Sequence, residues 1–324
     1  DYLSEGLTEE IRTALMRNPR LSVLAATSSN AAKGLTGDAR SIASQLGVAY
    51  LLEGSVQRAG ANIAVATTLT NGRSGFSEWS QQVVRPLGNL FTFESDIARM
   101  VSNAMSVRMA TDAPAPGGTR NVAAYEAYLH GMTLYNLNKD DETDRRARAY
   151  LEIAVQADPN FALAHAGLSR VLASIASTQA DASELQNLYA LAIQQARKAT
   201  DIAPTLPEGQ LALGYALFAG KLDIAGARDA YDAAYRYGQG NADILQFYAI
   251  YAVRARLFAQ AQSAIERALA LDPLNPRAWR SAGSIDLASG RPEEAITRYD
   301  RALALNPKMS SARALKGYAL IGLG

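Results

Sequence analysis

Apolar residues follow two rhythms along this chain. Up to about residue 110 their period changes from segment to segment, whereas beyond it the spacing is helical almost throughout. Leu3, Leu7, Ile11, Ala14 and Leu15 recur every three or four positions, which predicts an amphipathic helix over 3–17, stopped by Asn18-Pro19. Leu21–Ala25 reads as a short strand, and Ala39–Leu46 as a second helix closed by Gly47. Val48–Gln57 is rich in β-formers. Ile63, Val65, Thr67 and Leu69 alternate with Ala and Thr, as in a strand with one buried face. Arg58-Ala-Gly-Ala-Asn62 turns the first of these strands into the second. Asn71-Gly72 is a hairpin signal leading into a strand through Trp79 to Val84. Leu90, Phe93, Ile97, Val101, Met105 and Met109 then predict a long helix. The order αβαβββα implies an α+β lobe, a small mixed sheet with helices.

The helical part repeats itself. Glu266-Arg-Ala-Leu-Ala-Leu-Asp-Pro273 returns as Asp300-Arg-Ala-Leu-Ala-Leu-Asn-Pro307, a shift of 34 that also links Ala261 to Ala295 and Gly283 to Gly317. That period is the tetratricopeptide length, and such repeats stack as helix pairs into an all-α solenoid. Small Gly283 and Ala295 let the two helices of one repeat approach. Ile265 and Tyr299 are expected to fill the gap between neighbouring repeats. Pro273 and Pro307 end the second helix of each unit. Weaker copies end at Pro159 and Pro204, 45 apart, which places an insert around Ser177–Ser183. Tyr231, Ala234 and the Gly238/Gly240 turn mark a further unit. Pro- and Gly-rich Ala110–Thr119 reads as a linker. The expected division is 1–110, a linker at 111–120, and 121–324 with about five repeats and part of a sixth.

Composition removes most chemistry. The 324 residues contain no Cys and two His, so disulfides, thiolate metal sites and a cysteine nucleophile are excluded. No run of about 18 apolar residues spans a membrane. Residues 1–112 hold ten basic and ten acidic residues, and the formal net charge is +1. Neither half has the excess positive charge that phosphate-backbone binding needs, so direct nucleic-acid binding by this segment is not expected.

Individual motifs read as structure. His130 and His165 fall on different helices without an i,i+4 partner, as packing or surface residues. Gly72-Arg-Ser-Gly75 is one residue short of a nucleophile elbow and reads as a turn. Thr27–Asn30 with Lys33 could hold a small anion, but a polar loop is the simpler expectation. Lys139-Asp-Asp-Glu-Thr-Asp-Arg-Arg146 lacks the calcium-loop Gly and reads as a solvated loop between helices. Trp279 sits at the aromatic position of its repeat and reads as a packing residue. No catalytic residue, metal site or cofactor is expected.

The better surface is the concave face that first helices of stacked repeats build. By register it includes Tyr215, Asp243, Gln246, Ile250, Arg277, Arg280 and Ser284. Arg277 and Arg280 suit a peptide carboxylate or acidic side chains. The other expectation is that the groove packs on the N-terminal lobe.

Gly6-Leu-Thr-Glu-Glu-Ile11, Thr27-Ser-Ser29 with Lys33-Gly34, and Leu46-Gly-Val-Ala-Tyr-Leu-Leu-Glu-Gly-Ser-Val-Gln-Arg58 resemble the TolB-like (FlgO-like) domain, and Glu78-Trp79 and Asp96-Ile-Ala98 extend the match. The resemblance implies an opening strand that this sequence does not show, and no catalytic residues. It also implies a bacterial, membrane-anchored signalling protein with this module following a transmembrane helix. The expected host is a CadC-type transcriptional regulator, with a class III adenylate cyclase as the alternative. The module is then expected in the periplasm, alternatively in the cytoplasm, touching the membrane only through an upstream helix. Its expected partner is a protein or peptide in the groove, and a second copy of the chain is a further candidate.

Overall fold

The computed structural model describes residues 2–16, 18, 21–60, 62–86, 96–97, 100–101, 117–137 and 139–323. The chain opens with helix α1 (Tyr2–Met16), followed by the short α2 (Ala26–Ala31) and α3 (Ala39–Leu46). Asp38 caps α3 by accepting the Ser41 amide at 2.9 Å, and Gly47 closes it at φ 68°, a left-handed conformation that favours glycine. Three antiparallel strands follow in the order β1 (Tyr50–Ala59), β2 (Asn62–Asn71) and β3 (Ser77–Pro86). The register sets Leu52 opposite Leu69 and Val56 opposite Val65, and Val65 opposite Val83. The period of two therefore gathers Ile63, Val65, Leu69 and Val83 on one buried face, where they join Leu7, Ile11 and Leu15 of α1.

Three expectations change here. Residues 21–25 form no strand; their partner is the solenoid, to which the Ala25 amide donates at Leu271 O, 2.8 Å. Residues 27–30 are helical, not a loop. The Asn71-Gly72 hairpin exists, but with a longer turn than two residues. Asn71 Oδ1 accepts the amides of Arg73 and Ser74, and its backbone amide pairs with Phe76 O. Most of the helix expected over 90–109 lies outside the described residues. Asp96, Ile97, Met100 and Val101 are helical, and Ile97 and Val101 are buried in the lobe's core. Most of the linker expected at 111–120 also lies outside them. Its end is docked: Leu163 donates to Gly117 O, and the Thr119 hydroxyl donates to Asp158.

Helix pairs then stack as α4 (Val122–Leu137) with α5 (Asp141–Ala157), α6 (Ala162–Thr178) with α7 (Ala182–Ile202), α8 (Pro207–Lys221) with α9 (Arg228–Tyr237), α10 (Ala242–Arg254) with α11 (Phe258–Leu271), and α12 (Pro276–Ala288) with α13 (Pro292–Leu305). Helix α14 (Ser310–Ile321) packs on α13. A small residue on the first helix faces a large one on the second. A Cβ at Gly131 would stand 2.7 Å from Leu151, at Gly214 2.9 Å from Tyr231, and at Gly283 2.6 Å from Tyr299. Tyr299 thus fills space inside its own pair as well as toward the next repeat, where it shares a buried cluster with Ala319. The corresponding Ala249 and Ile265 are both fully buried, so the repeats conserve combined volume while exchanging sizes.

Two further corrections concern length and charge. The 45-residue spacing reflects no inserted loop: α6 and α7 are 17 and 21 residues long, while α10 to α13 have 13 or 14 each. The acidic cluster at 139–146 starts α5, where Asp140 accepts the amide and hydroxyl of Thr143 at 2.9 and 2.6 Å. Carboxylates there suit the positive end of the helix dipole.

The turns between pairs share a device. The residue six positions after each turn proline donates an N–H to that proline's carbonyl. The distances are 3.0 Å for His165 Nε2 on Pro159, 2.7 Å for Gln210 Nε2 on Pro204, 2.8 Å for Trp279 Nε1 on Pro273, and 2.7 Å for Arg313 Nη2 on Pro307. Four different side chains meet one requirement, a carbonyl that the broken helix leaves without a backbone donor.

Candidate functional site

Arg170 on α6 and Asp243 on α10 approach to 3.8 Å, although α8 lies between their helices. Side chains meet across an intervening helix only on the inner curve of a superhelix, so this pair marks the concave face. Arg170, Tyr215, Ser284 and Tyr318 each stand eleven residues after a turn proline, at Pro159, Pro204, Pro273 and Pro307. They are therefore equivalent positions on the first helices α6, α8, α12 and α14.

The expected groove residues divide into two groups. Tyr215 is half-buried and packs edge-on against Phe247, centroids 5.4 Å apart, and burial pushes its phenol up to about 12. Gln246 is buried and donates to Ser281 Oγ at 3.2 Å, so its amide is committed to packing. Asp243 and Arg277 are exposed, while Ile250, Arg280 and Ser284 are half-buried. Arg277 and Arg280 form no ion pair among the described residues. Burial and then the neighbouring Arg277 hold the Arg280 guanidinium below its ordinary range, against a smaller opposing effect from Tyr299. Two like charges are thus held one helical turn apart without a carboxylate between them.

Sequence reasoning missed Arg170, Tyr135, Glu208 and Tyr318. Arg170 lies over the Tyr135 ring at 5.3 Å. Burial alone would lower its pKa, yet the facing Tyr135, Asp243, Glu208 and Tyr128 raise it above the ordinary arginine value. Glu208 Oε2 is buried beside this cluster without a hydrogen bond. Tyr318 and Ile321 are the most exposed apolar positions of α14, at 69% and 79%. The signal that finds Arg170, Glu208 and Tyr318 is the count from each turn proline, which the unequal repeat lengths conceal when the period of 34 is extended upstream; no such proline precedes Tyr135.

The upper part of the concave face is occupied by the chain itself. Gly6 of α1 lies so close to α4 that a Cβ would stand 2.9 Å from Leu129. Tyr128 donates to Glu10 at 3.2 Å, and burial followed by the Glu10 charge pushes this phenol well up. A Cβ on Gly240, in the turn before α10, would stand 2.5 Å from the Met16 carbonyl. Further on, Ser28 is fully buried against the turn before α12. Its amide and hydroxyl both donate to Asp272 Oδ1, at 2.8 and 2.5 Å, and Leu274 N donates to Ser28 Oγ at 3.0 Å. Arg12 reaches across from α1 to Ser29 Oγ at 2.9 Å. The hydroxyls of the 27–30 segment are thereby spent on the solenoid and on Arg12 instead of facing an anion.

The remaining motifs are structural. His130 stacks on Tyr150 at 4.9 Å and is lowered by burial against the opposing Glu126 charge. His165 is buried between Pro159 O and Gln195. Trp279 packs under Arg298 and Arg301. Nearby, Asp286 is buried and pairs with Arg291 at 2.6 Å. A cleft of about 450 Å3 opens among Trp279, Asp286, Arg291 and Arg298, and another of about 700 Å3 lies along α7 beside Arg197, Lys198 and Lys221. Among the described residues no three His, Asp or Glu side chains converge to hold a metal ion, and no helix is long and apolar enough to cross a membrane.

The family profile described as tetratricopeptide repeat matches residues 249–307 and 282–324. The C-terminal segment carries tetratricopeptide repeats. Solved structures agree in fold. A thermophilic TPR protein of Thermus thermophilus superposes with TM-score 0.50 at 21% identity, over 61% of this chain and all of that one. The human IFIT1 dimer with m7Gppp-AAAA gives 0.52 at 14%, over 73% of this chain and 55% of that one. A Rhizobium meliloti (strain 1021) protein named "Putative adenylate cyclase 3" is 32% identical over 222 residues, 67% of this chain. The present chain spans 37% of that relative's length.

Proposed function

We propose that this chain is a non-catalytic sensory module, and that its groove receives a protein or peptide segment at the end formed by α10, α12 and α14. The observation that carries this reading is the Arg277–Arg280 pair, which stands on the concave face with no internal counter-ion among the described residues. Ile250 and Tyr318 add apolar surface on one register, and Ile321 extends it one turn along α14. An acidic segment with apolar neighbours complements this combination.

The longer polypeptide, in this reading, is a nucleotide cyclase. The Rhizobium relative supports that host over the CadC-type regulator, which sequence reasoning placed first. The TolB-like resemblance of residues 1–110 belongs to the same proposal. So does a membrane helix ahead of the module, with the module on the periplasmic side. The test is to assay the full polypeptide and the 1–324 chain side by side for conversion of ATP to cyclic AMP. Turnover is expected only in the former. Combined Arg277→Ala and Arg280→Ala substitutions should abolish regulation of that turnover without lowering its basal rate. Turnover by 1–324 itself, or unchanged regulation in the variant, would overturn the reading.

A further inference from the structure

We propose that residues 21–31 form a strap held over the turn before α12, and that release of this strap at Ser28 gates the Arg277–Arg280 end of the groove. The inference rests on the groove being the ligand surface.

Leu21 and Val23 pack on the main core and Ala25 on the solenoid's second cluster, whereas the attachment at α2 is local and polar. Ala25 donates one backbone hydrogen bond to Leu271, and Ser28 contributes the two donors and one acceptor that engage Asp272 and Leu274. Asp272 is buried at 1% exposure, and its other oxygen accepts from Asn275 at 2.9 Å. A buried carboxylate needs such donors, so Ser28 and Asp272 stabilise one another strongly while they remain together. Within α2, six residues long, only Ser28 is buried, and Ser29 adds the hydrogen bond from Arg12. The contrast with α1 is sharp, because α1 contributes Leu7, Ile11, Ala14 and Leu15 to the main core. One end of the segment is therefore anchored by full apolar burial, while α2 is held by the hydrogen bonds of Ser28 and Ser29, which makes α2 the low-stability end of the assembly.

Position gives the knot its consequence. Arg277 lies three residues beyond Leu274, whose amide is bonded to Ser28. Asn275, which bonds Asp272, also caps α12 by accepting the amides of Arg277 and Ala278 at 2.9 and 3.2 Å. The strap, the cap and the exposed arginine thus share one hydrogen-bonded network. A ligand that binds Arg277 and Arg280 differently in the strapped and released states shifts the balance between them, and passes its binding to the N-terminal lobe through Arg12 and Ser29.

The experiment uses the full 324-residue chain, with hydrogen exchange read by mass spectrometry and a fluorescein-labelled peptide of alternating Glu and Leu as the probe. Ser28→Ala should speed exchange over 21–31 about tenfold while α4 to α11 keep their protection. The same substitution should tighten the probe severalfold, and adding Arg277→Ala with Arg280→Ala should abolish that binding. Asp272→Asn, which keeps an acceptor at the turn, should lie between wild type and Ser28→Ala. Unchanged exchange over 21–31 would overturn the strap. Faster exchange with unchanged, arginine-dependent probe affinity would overturn the gate and leave the groove standing. No arginine-dependent probe binding by any form would overturn groove and gate together, while the exchange data would still report whether the knot opens locally.

Discussion

At the α4–α7 end of the solenoid the helices are long, the spacing departs from 34, and the concave face is covered by α1. At the α10–α14 end the helices are short, and Arg277 and Tyr318 are exposed on the same face beside the strap. The difference shows what a strict period means physically. A repeat keeps its length when it contacts only copies of itself, because each interface then poses the same packing problem. Where a repeat also packs on something else, its helices adapt to that second surface. Tyr125, Tyr128 and Leu129 of α4 share one buried core with Leu7 and Ile11 of α1, a core that takes in no residue of α12 or α14 among the described residues.

The sharpest way to break this comparison is inside a regular pair. Tyr299 is fully buried against Gly283, and Tyr299→Ala should cost about 3–5 kcal/mol by opening a cavity between two helices. Thermal melts should show it, and hydrogen exchange should confine the loss to α12–α14. Gly283→Ala alone should cost about 1–3 kcal/mol through overpacking. If volume is what the repeats conserve, adding Tyr299→Ile to Gly283→Ala should recover most of that loss, since it recreates the Ala249 and Ile265 combination. A double variant no better than Gly283→Ala would show that shape, not volume, is specified there.

The irregular end offers the matching test. Gly6→Leu would force a side chain into Leu129, and should cost about 1–3 kcal/mol. Its exchange signature should appear in α1 and α4 together, with α10–α14 untouched. A uniform increase along the chain would mean that the two ends melt as one cooperative unit.

Smaller effects probe the turn device that both ends share. Gln210→Leu, Trp279→Phe and Arg313→Met each remove one N–H from a proline carbonyl while keeping bulk. Each should cost about 1 kcal/mol, measured as a shift of the denaturation midpoint. The prediction fails if the three losses follow side-chain exposure instead of the lost hydrogen bond.

Legibility followed the same division. The 34-residue shift between Glu266–Pro273 and Asp300–Pro307 was enough to place the solenoid, and the alternation at Ile63, Val65 and Leu69 enough to place a strand with one buried face. Segment 21–25 misled because an extended, apolar stretch carries no mark of what it pairs with. Its partner, Leu271, is 246 positions away, at the end of α11. Segment 27–30 misled because Ser and Asn favour loops until a buried carboxylate engages them, as Asp272 does Ser28. In the groove, register placed Arg277 and Arg280 one turn apart on α12, where Arg277 is exposed and Arg280 half-buried. It could not show that Gln246 spends its amide on Ser281, nor that Arg170 occupies the position equivalent to Tyr215, because both depend on contacts between repeats of unequal length.

The smallest expected effect concerns charge at the irregular end. Asp140 caps α5, and hydrogen bonds from the Thr143 hydroxyl and amide hold its carboxyl below the usual carboxylate range. The folded state therefore keeps this proton off at a pH where the unfolded chain already binds it. Its stabilising contribution is complete above about pH 4, the ordinary carboxylate value, and is lost as pH falls through the lowered folded value. Asp140→Ala should lower the melting temperature slightly near neutrality, and the gap to wild type should close on acidification toward about pH 2. The regular end provides the control. The pairs α10/α11 and α12/α13 start their first helices with Asn241 and Asn275, whose amides do not titrate in this range. Asn241→Ala, whose side chain caps only the Asp243 and Ile244 amides, should therefore leave a gap that acid does not close by this route. If both gaps narrowed alike, general acid unfolding would explain the Asp140 result, and the cap would lose its claim to it.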